Sequence, residues 1–178
     1  MSRRAAIYQP ETDTWDIPLT RGKSTTVDAI DVDLTGVLWC ALLAPHTVYA
    51  FRGVSRVNGK QKFIMLHRVI LARMLDRDLQ ANEYVDHING NGLDNTRPNL
   101  RLATTAQNNA NSRKRSDNTS GLKGVSWYKP YSKWRAYIMV GSQQIHLGYF
   151  EYADEAHAAY CKAAEKHFGQ FANDGGTK

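Results

Sequence analysis

The stretch VDHINGNGLDNTRPNLRLATTAQNN, from Val85 to Asn109, decides the reading of this chain. It opens on an acid–imidazole pair, Asp86-His87, with Asn99 twelve residues beyond His87 and Asn108 nine beyond that. Tyr84 and Val85 are extended in character. Asn89 to Asn95 is an Asn/Gly-rich turn, and a second short extended stretch lies around Asn99 to Leu102. Thr104 or Thr105 can cap a helix that runs through Asn108 towards Asn111. The order predicted is strand, turn, strand, helix: a ββα unit.

Each of these residues has an ordinary structural use. Asp86 can end a strand, His87 can be a satisfied structural histidine, Asn99 a turn residue and Asn108 a helix-surface amide. As a set they hold what metal-assisted phosphodiester hydrolysis requires. His87 is the candidate general base, which takes a proton from water for in-line attack on phosphorus. Asn99 is expected to accept a hydrogen bond from the other imidazole nitrogen and fix the ring. Asp86 and Asn108 are expected to hold one divalent cation. Oxygen donors favour Mg²⁺ or Mn²⁺ over zinc. Arg68 and Arg101 are candidates for phosphate contact, because a guanidinium fork matches phosphate oxygens. His67, in Leu66-His67-Arg68, either touches a phosphate or packs structurally.

Composition narrows the partner. The 178 residues carry a net charge of +6, with 42% hydrophobic residues, enough for one ordinary domain or two small ones. A pI near 9.4 favours a polyanion. Cys40 and Cys161 stand far apart with no CxxC neighbour, which suits a reducing compartment and excludes a disulfide framework or a Cys-based zinc site. Arg3-Arg4 has no apolar stretch behind it, so no signal peptide is read. The run Val37 to Phe51 is broken by Pro45 and His46 and is too short to span a bilayer.

The flanks divide around the motif. Residues 1–60 are rich in Thr, Val, Ile, Tyr and Trp and read as short strands, with a tight turn at Asn58-Gly59. They hold seven basic and six acidic residues and no catalytic constellation, and are read as a small β platform. From Phe63 to Leu75, Leu66, Val69, Ile70 and Met74 recur at helical spacing. Residues 61–111 are the expected nuclease core. Residues 112–120, SRKRSDNTS from Ser112, are a basic linker whose Arg113, Lys114 and Arg115 can lie along phosphates. Residues 121–174 form a second module: strands at Gly124–Tyr128, Trp134–Val140 and Gln144–Phe150, then a helix from Ala153 to Phe168. Lys123 to Phe150 holds four basic residues and no acid, whereas the helix carries Glu151, Asp154, Glu155 and Glu165 against Lys162 and Lys166. The sheet is basic, the helix acidic, and one sheet face is left to meet nucleic acid.

Two family resemblances follow from these residues. Lys62 to Asn111 resembles the HNH endonucleases, in the form carried by phage homing endonucleases. Asp86-His87 matches the acid–His pair and Asn99 the middle position, in the context Asn99-Leu100-Arg101. The last position, often His in the wider family, is Asn108, as in the phage branch. The departure removes a second His ligand. The resemblance implies products with 3′-hydroxyl and 5′-phosphate ends. Ser120 to Trp127, Lys133 to Ala136, His146 to Phe150 and the alanine-rich helix resemble the AP2 DNA-binding domain. That resemblance implies a three-stranded sheet on one helix, with the sheet in the major groove. The exposed strand positions that would read DNA are Lys123, Ser126, Tyr128, Lys133, Arg135, Tyr137, Met139, Gln144 and His146.

The expectation is therefore an α+β protein: a β-rich N-terminal region, a ββα-metal core and an AP2-like module. Its expected function is that of a metal-dependent DNA endonuclease of homing type, monomeric, acting on double-stranded DNA in the cytoplasm, of a host cell if phage-encoded. The alternatives are an AP2-type DNA-binding regulator without catalysis, an RNA-binding protein, and a phage packaging or recombination nuclease of low specificity.

Overall fold

The structure is a computed structural model, and it describes residues 5–57, 59–112, 114 and 117–176. Asn58 of the expected turn and the linker residues Arg113 and Arg115 lie outside the described residues. The chain is α+β, with several small antiparallel sheets, and it divides into two compact units, Met1–Leu102 and Ala103–Lys178.

In the first unit, β1 (Ile7–Gln9), β2 (Thr14–Pro18) and β3 (Ser24–Asp28) form one antiparallel sheet in the order β1-β2-β3. A second consists of β4 (Cys40–Leu43), β5 (Val48–Val57) and β6 (Lys60–Met65). Gly59, in the turn between β5 and β6, has φ +75°, a left-handed conformation open to glycine at no steric cost. The expected helix from Phe63 begins later. Phe63 to Met65 complete β6, where they pair with Phe51 to Gly53, and α1 runs Leu66–Leu75. Sheet pairing overrides the helical spacing there. The buried stripe of α1 is Leu66, His67, Ile70 and Leu71, while Met74 is exposed. It packs on Ile17, Val27, Leu34, Trp39, Ala50 and Leu100, one continuous core beneath both sheets. Then β7 (Tyr84–His87) pairs with β8 (Leu100–Ala103).

The second unit starts with α2 (Thr105–Asn111). Thr104 caps it, accepting from the Gln107 amide while Gln107 reaches back to the Thr104 amide. Next come β9 (Val125–Tyr128), β10 (Lys133–Val140) and β11 (Gln143–Phe150), antiparallel in the order β11-β10-β9, and α3 (Ala153–Phe168). Ala156, Tyr160 and Ala164 of α3 are buried against Val125, Ala136 and Ile138. Small alanines allow this close approach. Gly124, at φ +73°, is required for the same reason: a Cβ there would lie 2.0 Å from the Tyr160 ring.

Candidate active site

Asp86 and His87 end β7 and are both buried, at 4% and 6% exposure. The loop that follows is held by its own short polar side chains. Asn89 Nδ2 donates to Asp94 Oδ2 at 2.7 Å, and the Asn91 amide donates to Asn89 Oδ1 at 2.8 Å. Asp94 Oδ1 accepts from the Thr96 hydroxyl at 2.7 Å. These are the short-range closures, side chain to side chain and side chain to backbone, that Asn and Asp make readily.

Asn99 secures the two ends of that loop. Its Oδ1 accepts from the Asn89 amide at 3.0 Å and its Nδ2 donates to the Asp94 carbonyl at 2.8 Å. The amide beside the imidazole is a different one: Asn95 Oδ1 lies 3.3 Å from His87 Nε2. Asn95 is fully buried, and its Nδ2 donates to Thr25 Oγ1 at 2.7 Å and to the Gly92 carbonyl at 3.3 Å. Those two acceptors turn the amide so that its oxygen faces the ring. His87 is therefore protonated at Nε2, with the lone pair on Nδ1. Sequence reasoning placed this orienting role on Asn99 and missed Asn95, which was read as one more turn residue.

The N-terminal region reaches the same loop. The Thr25 hydroxyl donates to the Leu93 carbonyl at 2.7 Å. The Thr26 amide donates to the Leu93 carbonyl and the Asn95 amide to the Thr26 carbonyl, both at 2.9 Å. The Arg97 amide donates to Asp28, and Arg97 Nε lies 2.8 Å from Asp31 Oδ2. Asp31 is fully buried and also pairs with Arg73 at 3.0 Å. Just before β5, Thr47 Oγ1 accepts from the Gly92 amide at 2.8 Å, and a Cβ at Gly92 would lie 2.6 Å from the ring of Tyr49 on β5. The β platform thus has a role in the site that its own sequence did not announce.

Burial sets the charge state. Desolvation pushes the His87 imidazole below its ordinary value, against the opposing pull of Asn95, Asp86 and Asp94. His67, on α1, is edge-on to His87 with ring centroids 5.2 Å apart, and edge-on to Tyr49 at 5.4 Å. Burial, and then the neighbouring His87, push it down to about 3. Its buried Nδ1 finds no hydrogen-bond partner among the described residues. Both imidazoles are neutral at neutral pH.

The arginines are already engaged. Arg101 Nε donates to Asp86 Oδ2 at 2.7 Å, and its Nη2 lies 2.7 Å from the same oxygen. Arg68 donates through Nη1 to the Glu83 carbonyl at 2.6 Å and through Nη2 to the Gln80 carbonyl at 3.0 Å. Both forks serve the first unit's own structure. As to a cation, no group of three or more His, Cys, Asp or Glu fit to hold one occurs among the described residues. The donor at hand in this unit is the Asp86 carboxylate, a hard oxygen ligand. It fits an ion such as Mg²⁺, which keeps its waters and needs one or two carboxylates.

The remaining candidates lie in the second unit. Asn108 is half-buried on α2. Lys114 Nζ donates to the Gly121 carbonyl at 2.8 Å, and Lys123 Nζ to the Ala110 carbonyl at 2.7 Å. Lys133 pairs with Glu151 at 2.9 Å. Ser126, Tyr128, Arg135 and Tyr137 are half-buried on β9 and β10, and Gln144 and His146 are exposed on β11. No helix among the described residues is long and apolar enough to cross a membrane.

Comparison with known proteins bears on this site. The HNH endonuclease family matches residues 65–110. Protein 3.8 of Escherichia phage T7 is 38% identical over 89 residues, covering 50% of this chain and 73% of that protein. A protein of Acanthamoeba polyphaga mimivirus named Uncharacterized HNH endonuclease L560 is 33% identical over 119 residues, 67% of this chain and 59% of its own length. No solved structure matches the chain. The buried acid–imidazole pair and its Asn-braced loop fall within the matched segment; the chain is a nuclease with an HNH endonuclease domain at residues 65–110, and it belongs to one family with Protein 3.8 of Escherichia phage T7.

Proposed function

We propose that the protein is a divalent-cation-dependent DNA endonuclease that hydrolyses one phosphodiester of duplex DNA with His87 as general base. The observation that carries this reading is the buried, neutral imidazole of His87, oriented through Nε2 by Asn95 beside the Asp86 carboxylate within the HNH domain. A neutral Nδ1 accepts the proton of a water aligned with phosphorus. The new P–O bond forms as the bond to the 3′ oxygen breaks, leaving 3′-hydroxyl and 5′-phosphate ends. Asp86 and Asn108 would hold the cation, Mg²⁺ or Mn²⁺. Bound there, the ion neutralises the extra charge on phosphorus and stabilises the departing oxygen. Arg101 keeps the Asp86 carboxylate in place, and Asn99 keeps the loop closed so that His87 and Asn95 stay in register.

The second unit serves DNA binding in this reading. Its three-stranded sheet on one helix is of the AP2-like kind, with Ser126, Tyr128, Lys133, Arg135, Tyr137, Gln144 and His146 towards the DNA. Residues 112–120, with Arg113, Lys114 and Arg115, form a basic linker along phosphates. The enzyme is a monomer of homing type that acts in the host-cell cytoplasm. One centre per chain nicks before it cuts.

Supercoiled plasmid and phage genomic DNA, incubated with wild type and His87→Ala in Mg²⁺, Mn²⁺ or EDTA, test the proposal. Metal-dependent nicking by the wild type and none by the variant is expected. Cleavage in EDTA, or undiminished cleavage by His87→Ala, sinks it. Direct conversion to linear plasmid with no nicked intermediate sinks the single-centre reading, and a cleavage map without preferred sites sinks the homing assignment.

A further inference from the structure

The face of the C-terminal sheet turned away from α3 is paved with aromatic rings. Tyr128 ends β9, Tyr131 follows in a short 3-10 turn, and Tyr149 lies on β11. Their ring centroids are 5.2 Å (Tyr128–Tyr131), 5.1 Å (Tyr128–Tyr149) and 4.9 Å (Tyr131–Tyr149) apart. His146 adds a fourth ring 4.5 Å from Tyr149. His146 and Tyr149 are three residues apart, which strict alternation would send to opposite faces. A break in register brings them together: Ala136 pairs with Gly148, but Tyr137 pairs with His146. Gly148, at φ +138°, takes up the irregularity.

The rings are accessible, and Arg135 is engaged among them. Tyr131 is 60% exposed and Tyr149 37%. The Arg135 guanidinium lies 5.5 Å from the Tyr128 centroid and 5.3 Å from that of Tyr137, and it donates to Ser126 Oγ at 3.3 Å. A reader of duplex DNA presents guanidinium forks to guanine edges in the major groove. Here the guanidinium lies over two tyrosine rings. No acidic residue occurs from Lys123 to Phe150, and the adjoining Glu151 is paired with Lys133 at 2.9 Å. Clustered rings in tilted and edge-to-face contact, a cation–π arginine and an acid already held in an ion pair form a pattern that suits single strands, whose bases offer free π faces.

We propose that the Tyr128–Tyr131–Tyr149–His146 face stacks unpaired DNA bases. The inference rests on the DNA endonuclease reading and deepens it. The substrate is DNA that carries a single-stranded segment beside the duplex that is cut, such as a fork, gap or branch.

Fluorescence anisotropy with the full chain in EDTA, so that no strand is cut, tests this with labelled oligothymidylate, a mixed-sequence duplex of equal length and oligouridylate. Oligothymidylate should bind at least about tenfold tighter than the duplex, and Tyr131→Ala and Tyr149→Ala should each weaken it by about 5- to 100-fold. Tyr131→Phe and Tyr149→Phe, which keep the ring, should restore it. Circular dichroism of the exposed Tyr131→Ala variant guards against unfolding as the cause. Duplex bound as tightly as the single strand overturns the proposal, as do alanine variants with unchanged affinity or tighter binding of oligouridylate than of oligothymidylate. Wild-type plasmid nicking with Mg²⁺ reports separately on the nuclease reading, so each idea can fail without the other.

Discussion

Asn95 Oδ1 lies 3.3 Å from His87 Nε2, and the same amide donates to the hydroxyl of Thr25 at 2.7 Å. Two hydrogen bonds therefore connect the imidazole to β3, a strand from the other end of the first unit. Fully buried amides are poor at tolerating lost partners, because an unpaired polar group away from water costs about 1–3 kcal/mol. The relationship predicts that His87 is aimed by residues that do no chemistry themselves.

Replacement of the base itself sets the reference. His87→Ala should lower nicking by about 100- to 10,000-fold, with DNA affinity nearly unchanged. Gel-based nicking and equilibrium binding on the same preparation measure both. Loss of binding in step with loss of cleavage would refute the assignment.

Asn95→Ala separates orientation from chemistry. The imidazole remains but loses the acceptor on Nε2. We expect kcat to fall by about 10- to 100-fold, equivalent to about 1.4–2.7 kcal/mol, while KM is held. Asn99→Ala should differ in kind, because its amide closes the loop at both ends. It should cost about 1–3 kcal/mol of stability in urea unfolding. Identical behaviour of the two variants would erase the distinction drawn between them.

Thr25→Val removes a hydroxyl that accepts from Asn95 and donates to the Leu93 carbonyl, while keeping nearly the same shape. It should reduce stability by about 1–3 kcal/mol and reduce kcat as well, although Thr25 lies far outside the motif in sequence. Full activity in this variant would show that β3 supports the fold and not the site.

Gly92→Ala tests the close approach of the loop to β5. The added Cβ would sit 2.6 Å from the Tyr49 ring and 2.6 Å from the Val48 carbonyl oxygen, part of which is backbone and cannot yield. A loss of about 1–3 kcal/mol is expected from overpacking, read as a lowered Tm with weakened nicking.

Acid should destabilise the first unit. Burial holds His67 at about 3 against an ordinary 6.5. The unfolded chain therefore binds a proton that the folded chain refuses between those two values. Stability is complete above about pH 6.5 and falls as pH drops through the window, by up to about 1.4 kcal/mol per pH unit for this group. The lowered His87 acts in the same direction. Urea unfolding at several pH values should show the decline, and His67→Phe should make it shallower. An unchanged slope in that variant would place the acid sensitivity elsewhere.

Much of this was legible from residues alone, and the exceptions have causes. The three C-terminal strands and α3 follow from period-two alternation passing into an alanine stripe, and they form where expected within a residue or so. The start of α1 differs from its sequence pattern because Phe63, Ile64 and Met65 suit a strand and a helix equally, and only pairing with β5 decides. Asp86 and His87 come together because they are neighbours on one strand. Asn95 escaped notice because an asparagine among asparagines carries no periodic signal, and its partner Thr25 lies 70 residues away. Tyr149 escaped notice because a register break is invisible to a pattern that assumes alternation. Arg68 and Arg101 read as phosphate ligands, and the structure adds internal partners that no sequence pattern announces.

The matched segment, residues 65–110, holds the acid, the imidazole and the amides, yet the strands that aim them lie before it. Thr25, Thr26 and Asp28 enter through a sheet, and Asp31 through the 3-10 segment after it, neither of which carries chemistry. The motif is consequently not portable. A designer who transplanted only those letters would carry over the reagents without the jig that holds them.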